Sequence, residues 1–420
     1  MNSSQHRPLG HARARRSAVA RFAATLLPRR AGALALALLL ALLLALLLAG
    51  CGGVAEEGTG IQPSASVGTL EGLSDTSVSV NGVNYSRSAA TTLSDGFGQA
   101  ITADQLRLGM WLEVVGTVDE TGNQGEAQTI RVRPASRGVV SASDGATLSI
   151  TLFNSSVRLS GSTVLEGTPN AAALSVGDVV EVHGPQRNAL GDVSASRVER
   201  LAVAAPVAPA FARHELRGRT SQLNPAAQTL LVGRRLVSYA TAQVTLRRSL
   251  DNGQMVRVAA TGAPPAAGTA WAVERLTSDL ALPANLGFLY TEGYVDGLLA
   301  GPLFVLEDLP VDASTANGRS SVTANDQRVA VVGPLTQGTL KARSVALVTP
   351  GVPVVFTLSG PVTDYVSAAS FKLRGVPIDA SAATFVAPAS AASLVDGVRL
   401  RIKGTVRGRG LAASQVELLP

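Results

Sequence analysis

The chain has 420 residues, 46% of them hydrophobic and 16% charged, so it can bury sizeable cores, and wholesale disorder is excluded. Aromatic residues make up 4% and Cys occurs once, so the cores must be aliphatic, and neither a disulfide framework nor a multi-cysteine metal site is available. The formal net charge of +6 belongs to the N-terminus: seven arginines lie in residues 1–30, and without them 29 basic residues face 30 acidic ones, a net charge of −1. A strongly basic partner-binding surface is therefore not a property of the remainder as a whole.

In chain order, the basic segment 1–30 carries no acid, and 33–49 is an unbroken run of Ala and Leu that ends in Leu48-Ala49-Gly50-Cys51. A basic region, an apolar region and small residues before a cleavage point read as a secretory signal over 1–50. The alternative is an uncleaved membrane helix, but the apolar run falls short of the roughly 20 residues that span a bilayer. The last four residues resemble the bacterial lipoprotein signal box. That resemblance implies cleavage before Cys51, acylation of its thiol and anchoring through several acyl chains, since buried methylenes contribute about 0.8 kcal/mol each. Gly52 stands where an Asp can retain such proteins at the inner membrane, which by the same resemblance implies the outer membrane of a bacterial cell envelope, on its periplasmic or surface face. Residues 51–66 read as a polar tether.

Beyond the tether the sequence repeats itself. A Gly followed by an extended stretch recurs at Gly68, Gly138, Gly218, Gly293 and Gly360. A Leu-x-x-Gly-x-x-Val-x-Val-x-Gly pattern follows late in each copy, as in Leu106 to Gly116, Leu174 to Gly184 and Leu394 to Gly404. The copy after Gly218 has Ala260 where the last Gly falls, and the copy after Gly293 has Asp326 in place of the first Gly. Apolar residues alternate with polar ones (Val398, Leu400, Ile402 against Arg399, Arg401, Lys403), the period of a half-buried strand. Asn81-Gly82 between alternating apolar residues predicts a hairpin, with equivalents near Gly233-Arg234 and Arg374-Gly375. Thr102, Asn170 and Ser390 each open a short segment that predicts a helical turn ahead of the late pattern.

Strand, strand, strand, helical turn, strand, strand matches a small five-stranded Greek-key barrel of the oligonucleotide/oligosaccharide-binding (OB) type. The expected class is all-β, with OB-like modules over 67–134, 137–201, 213–279, 291–349 and 357–420, linked like beads by stretches such as 202–212. Modules of this size are near the lower limit for folding alone, so neighbours are expected to touch. These patterns resemble an uncharacterised family of small β domains, found in tandem in bacterial lipoproteins and known only as a domain of unknown function. The resemblance brings no catalytic residue with it.

No chemistry stands out. His183 and His214 are the histidines beyond the signal; neither has a partner at ligand spacing, and His183 is expected to be an exposed strand-end residue. Asp119 to Glu126 reads as a hairpin loop rather than a cation site. The sequence predicts no catalytic residue, metal or cofactor. Two Trp residues and the compartment argue against nucleic acid as a partner. Residues 213–279 carry nine basic groups, all Arg, against four acids. Arg favours bidentate contacts with carboxylate or phosphate. Arg217, Arg219, Arg234, Arg235, Arg247 and Arg248 are thus candidates for docking an anionic envelope component or protein partner. The expected function is a membrane-anchored, non-enzymatic binding or spacer scaffold, the alternative a carbohydrate- or anion-binding array that uses the Arg-rich third module.

Overall fold

Where apolar and polar residues alternate, the chain forms strand. The computed structural model describes residues 60–204, 213–298 and 302–420, and its regular structure is strand apart from short 3-10 turns. The first ring comprises β1 (Gln62–Leu73), β2 (Ser77–Val80), β3 (Val83–Ser86), β4 (Thr92–Ser94), a 3-10 turn at Ala103–Gln105, β5 (Trp111–Val118) and β6 (Gln124–Val132). β1 pairs antiparallel with β2, and β2 with β3. β3 and β4 lie end to end, both parallel to β6. β6 runs antiparallel to β5, which returns to β1 and closes a five-stranded barrel. Closure leaves no free strand edge within the ring. Leu70, Val78, Val80, Tyr85, Leu112, Val114 and Ile130 fill the interior. Full burial of a Val or Leu stabilises by about 1.5–3 kcal/mol, so a largely aliphatic interior suffices.

The same pairings recur over 214–278 and 355–418, and in part over 136–202, whose strands lie in two sheets, and 286–347, where the counterpart of β4 is a single bridge at Asn317. In each, the last strand of the hairpin runs parallel to a strand near the end of the segment, as in Val157↔Val193, Val237↔Trp271, Val311↔Leu340 and Ile378↔Leu411; in the first three this is a short strand just ahead of the final one. The recurrent glycines have steric reasons. A Cβ on Gly68 would meet the Asn81 side chain at 2.3 Å, because the hairpin tip folds back over the first strand. One on Gly116 would lie 1.9 Å from the Glu126 carbonyl oxygen, where a bulge shifts the register between β5 and β6. Asp326 adopts a left-handed φ of 63°, close to the 80° of Gly109 and the 84° of Gly253, so the divergent fourth copy keeps the backbone while losing the residue type. All the expected hairpins form, as do two more at Phe153-Asn154 and Glu307-Asp308, whose first residues carry no turn signal. Phe153 and Glu307 take positive φ there, at 53° and 58°.

Two expectations need correction. The stretch 51–66 is not tether throughout: β1 starts at Gln62, and Ser64–Val67 lie between two strands, antiparallel to β5 and parallel to Phe288–Thr291. The rings are also not strung out in sequence order. β1 pairs with Leu286–Leu298 and again, at Gly72 and Leu73, with Val355–Ser367, while Ser136–Val139 pairs with His214–Asn224. Apolar cores run on across these contacts: the first ring shares one buried cluster with the 355–418 segment, and the 136–202 segment shares another with 214–278. With few aromatics in each small core, apolar surface left at a ring's outer face is covered by another ring. Cys51 and most of the 202–212 linker lie outside the described residues, and among those described no helix is long and apolar enough to cross a membrane.

Candidate functional site

The polar centre of the molecule lies where the segments meet. Arg133, just beyond β6, is fully buried and ion-pairs with Asp279, itself fully buried. Arg217 reaches Asp279 at 3.5 Å and Glu307 at 3.1 Å, and donates to the Gly184 carbonyl at 3.1 Å. Arg257 binds Asp279 at 3.2 Å and the Pro134 carbonyl at 2.7 Å. Outward from this trio, Arg131 holds Glu113 at 2.8 Å, while Glu215 meets Arg213 at 2.6 Å and Arg137 at 3.7 Å. Arg137 also pairs with Glu181. The seam thus joins side chains from the first four segments.

The electrostatics follow from burial and pairing. Burial opposes the charge on Asp279, but the guanidiniums of Arg133, Arg217, Arg257 and Arg131 outweigh it and hold the carboxyl well below the usual carboxylate range. Burial likewise opposes the Arg133 charge, yet the carboxylates of Asp279, Glu113 and Glu307 keep it above its ordinary value. For Arg257 burial wins and pushes the guanidinium down to about 10. Glu71, where the first ring meets the 286–347 segment, is pushed up to about 7, by burial first and then by the neighbouring Glu292 charge.

His183 is not the exposed strand-end residue expected. It does end its strand, Val179–His183, but it is fully buried: its Nε2 lies 2.8 Å from Glu181 Oε1, and its Nδ1 accepts from the Trp111 backbone N–H at 3.2 Å. The first ring, docked on that strand end, provides the cover. Burial pushes the imidazole pKa down, partly offset by Glu181. His214, at the start of its strand, is buried and shifted down in the same way. In the Asp119 loop, Asp119 Oδ1 accepts from Thr121 Oγ1 at 2.8 Å and from the Gly122 N–H at 2.9 Å, so it serves as a hairpin turn. Among the described residues no group of three or more His, Cys, Asp or Glu could hold a metal ion.

The six candidate arginines do not gather into one patch. Arg217 belongs to the buried seam. Arg219 binds Asp296 at 2.7 Å, and Arg234 pairs with Asp192. Arg235 is buried and donates to the Pro265 carbonyl at 2.7 Å. Arg247 donates to the Leu282 carbonyl, and Arg248 lies 3.2 Å from Asp308 with 63% of its side chain exposed. Much of the positive charge of residues 213–279 is therefore neutralised by carboxylates of other segments. Sequence reasoning missed Asp279 and Glu307 as their partners. Asp279 and Glu307 lie 62 (279 − 217) and 90 residues from Arg217, so no local pattern marks either.

Three stretches of the chain, 67–130, 137–199 and 359–417, match the family described as a domain of unknown function (DUF5666). No curated protein matches the chain.

Proposed function

We propose that the chain is a lipid-anchored lipoprotein of the bacterial cell envelope, built from five divergent copies of one small barrel and acting as a non-enzymatic binding or spacer scaffold. The observation that carries this reading is the buried seam around Asp279. A scaffold must hold its surfaces at set distances, and charges buried in one another's company do so: separating the segments would expose unpaired guanidiniums and carboxylates at the contacts. The fivefold count is supported by the recurrent parallel closure of each ring and by the left-handed Asp326 in the least similar copy. The anchor is supported by the position of the sole Cys directly after Leu48-Ala49-Gly50.

Metabolic labelling with radioactive palmitate tests the anchor: the native chain is expected to take up label and Cys51→Ala to take up none. Equal labelling of both removes it. Chemical cross-linking of the full chain in intact cells, followed by its capture, is expected to recover a defined envelope component. A chain that cross-links to nothing in the envelope overturns the scaffold reading.

A further inference from the structure

The third barrel lacks a 3-10 turn that the other four have. In the first, second and fifth, a residue with a side-chain oxygen opens a 3-10 turn. Asn170 Oδ1 accepts from the Ala173 N–H at 3.0 Å, and Thr102 with Gln105, and Ser390 with Ser393, make reciprocal caps. The Leu four residues on (Leu106, Leu174, Leu394) is seated in the core at 0–2% exposure. The corresponding stretch of the third barrel is Leu246-Arg-Arg-Ser-Leu250. No turn forms there, although in the fourth barrel one opens at Gly318 without a side-chain cap, and Leu250 remains only partly buried. An open, shallow cleft of about 640 Å³ lies beside this stretch. Leu223, Tyr239, Leu246 and Leu250 form its apolar side, Arg247 and Arg248 its basic side, and no carboxylate is among its lining residues.

We propose that this cleft binds a single-chain amphiphile with an anionic head, the alkyl chain lying along the leucines and Tyr239 and the carboxylate or phosphate head meeting Arg247 and Arg248. The volume falls in the range of small-molecule sites, roughly 300–1,000 Å³. Arg247 uses one nitrogen on the Leu282 carbonyl, and Arg248 uses one on Asp308, which leaves further donors on both planar forks for an anion. This reading narrows the anion-binding role from six arginines to two and does not depend on the scaffold reading.

The test uses the full chain in lipid nanodiscs with a diazirine-tagged dodecanoic acid, with the labelled peptides located by mass spectrometry. Label is expected to concentrate on peptides spanning 223–250. Unlabelled dodecanoate or dodecyl phosphate should displace it, the stronger of the two identifying the head group, whereas dodecanol and dodecyltrimethylammonium should be at least tenfold weaker. Arg247→Glu combined with Arg248→Glu should reduce labelling at least tenfold. Leu246→Ser, which removes apolar lining from the cleft and keeps both arginines, should also reduce it. Label spread in proportion to exposed surface, equal competition by the cationic amphiphile, or undiminished labelling of both variants overturns the proposal.

Discussion

The seam around Asp279 and the outer face of the last barrel use the same residue types to different ends. In the seam, Arg133, Arg217 and Arg257 converge on one carboxylate with no exposure to solvent. On the last barrel, Arg401 pairs with Glu417 at 3.2 Å and Lys372 with Asp364 at 2.7 Å, all four side chains more than 40% exposed. Water already satisfies the exposed charges, so those pairs add little. In the seam the protein itself must supply the solvation, and while Arg257 pairs within its own segment, Arg133 and Arg217 depend on carboxylates brought by another. The difference teaches that ion pairs here separate into two roles. Exposed pairs occur both within one ring, as on the last barrel, and between rings, as in Arg399 with Asp75 and Arg248 with Asp308, whereas the buried pairs are where charge must be solvated by the protein alone.

Breaking the seam gives the largest expected effect. Asp279→Ala leaves three guanidiniums facing one another without their shared carboxylate, and should cost about 3–5 kcal/mol in urea unfolding. An unshifted transition would show that the seam does not bind the rings together.

A smaller effect sharpens the comparison at a buried carboxyl away from the seam, where the first ring meets the 286–347 segment. Glu71 has its folded pKa raised from 4.5 to about 7, so the fold favours its protonated form. Its contribution is fully present below about pH 4.5 and is lost as pH rises through 7, amounting to about 1–3 kcal/mol. Asp279 has the opposite sign: its folded pKa is depressed, so its contribution is lost as pH falls through the acid range. Glu71→Gln should therefore flatten the decline in stability between pH 4.5 and 7.5 and leave the acid limb unchanged. An identical pH profile in the variant would refute this assignment.

The smallest effect lies on the outer face of the last barrel. Glu417→Ala should change unfolding free energy by no more than about 1 kcal/mol, since both partners are largely solvated. A loss comparable to that of Asp279→Ala would erase the distinction between the two kinds of pair.

Much of the local fold was legible in residue order. Two-residue alternation announced the strands, Asn81-Gly82 its hairpin, and Thr102, Asn170 and Ser390 their turns. The hairpin tips at Phe153 and Glu307 were not legible, because those residues hold a left-handed backbone while making distant contacts. Phe153 packs on Trp271 with ring centroids 5.4 Å apart, and Glu307 binds Arg217. His183 was misread for the same reason: being covered depends on the first ring docking over its strand end. The candidate arginines were rightly seen as unusual in number, but the seam's carboxylates stand far away along the chain.

The sequence by itself determined the all-strand character, the recurrent unit and the steric need for its glycines, because each depends on residues within a few positions or one hairpin of one another. Only the tertiary structure decided that β1 would serve three barrels at once, that Arg133, Arg217 and Arg257 would share Asp279, and that the third barrel would stay open at Leu250. Packing of whole rings sets which charges are deprived of water, and that is a property of surfaces brought together from opposite ends of the chain.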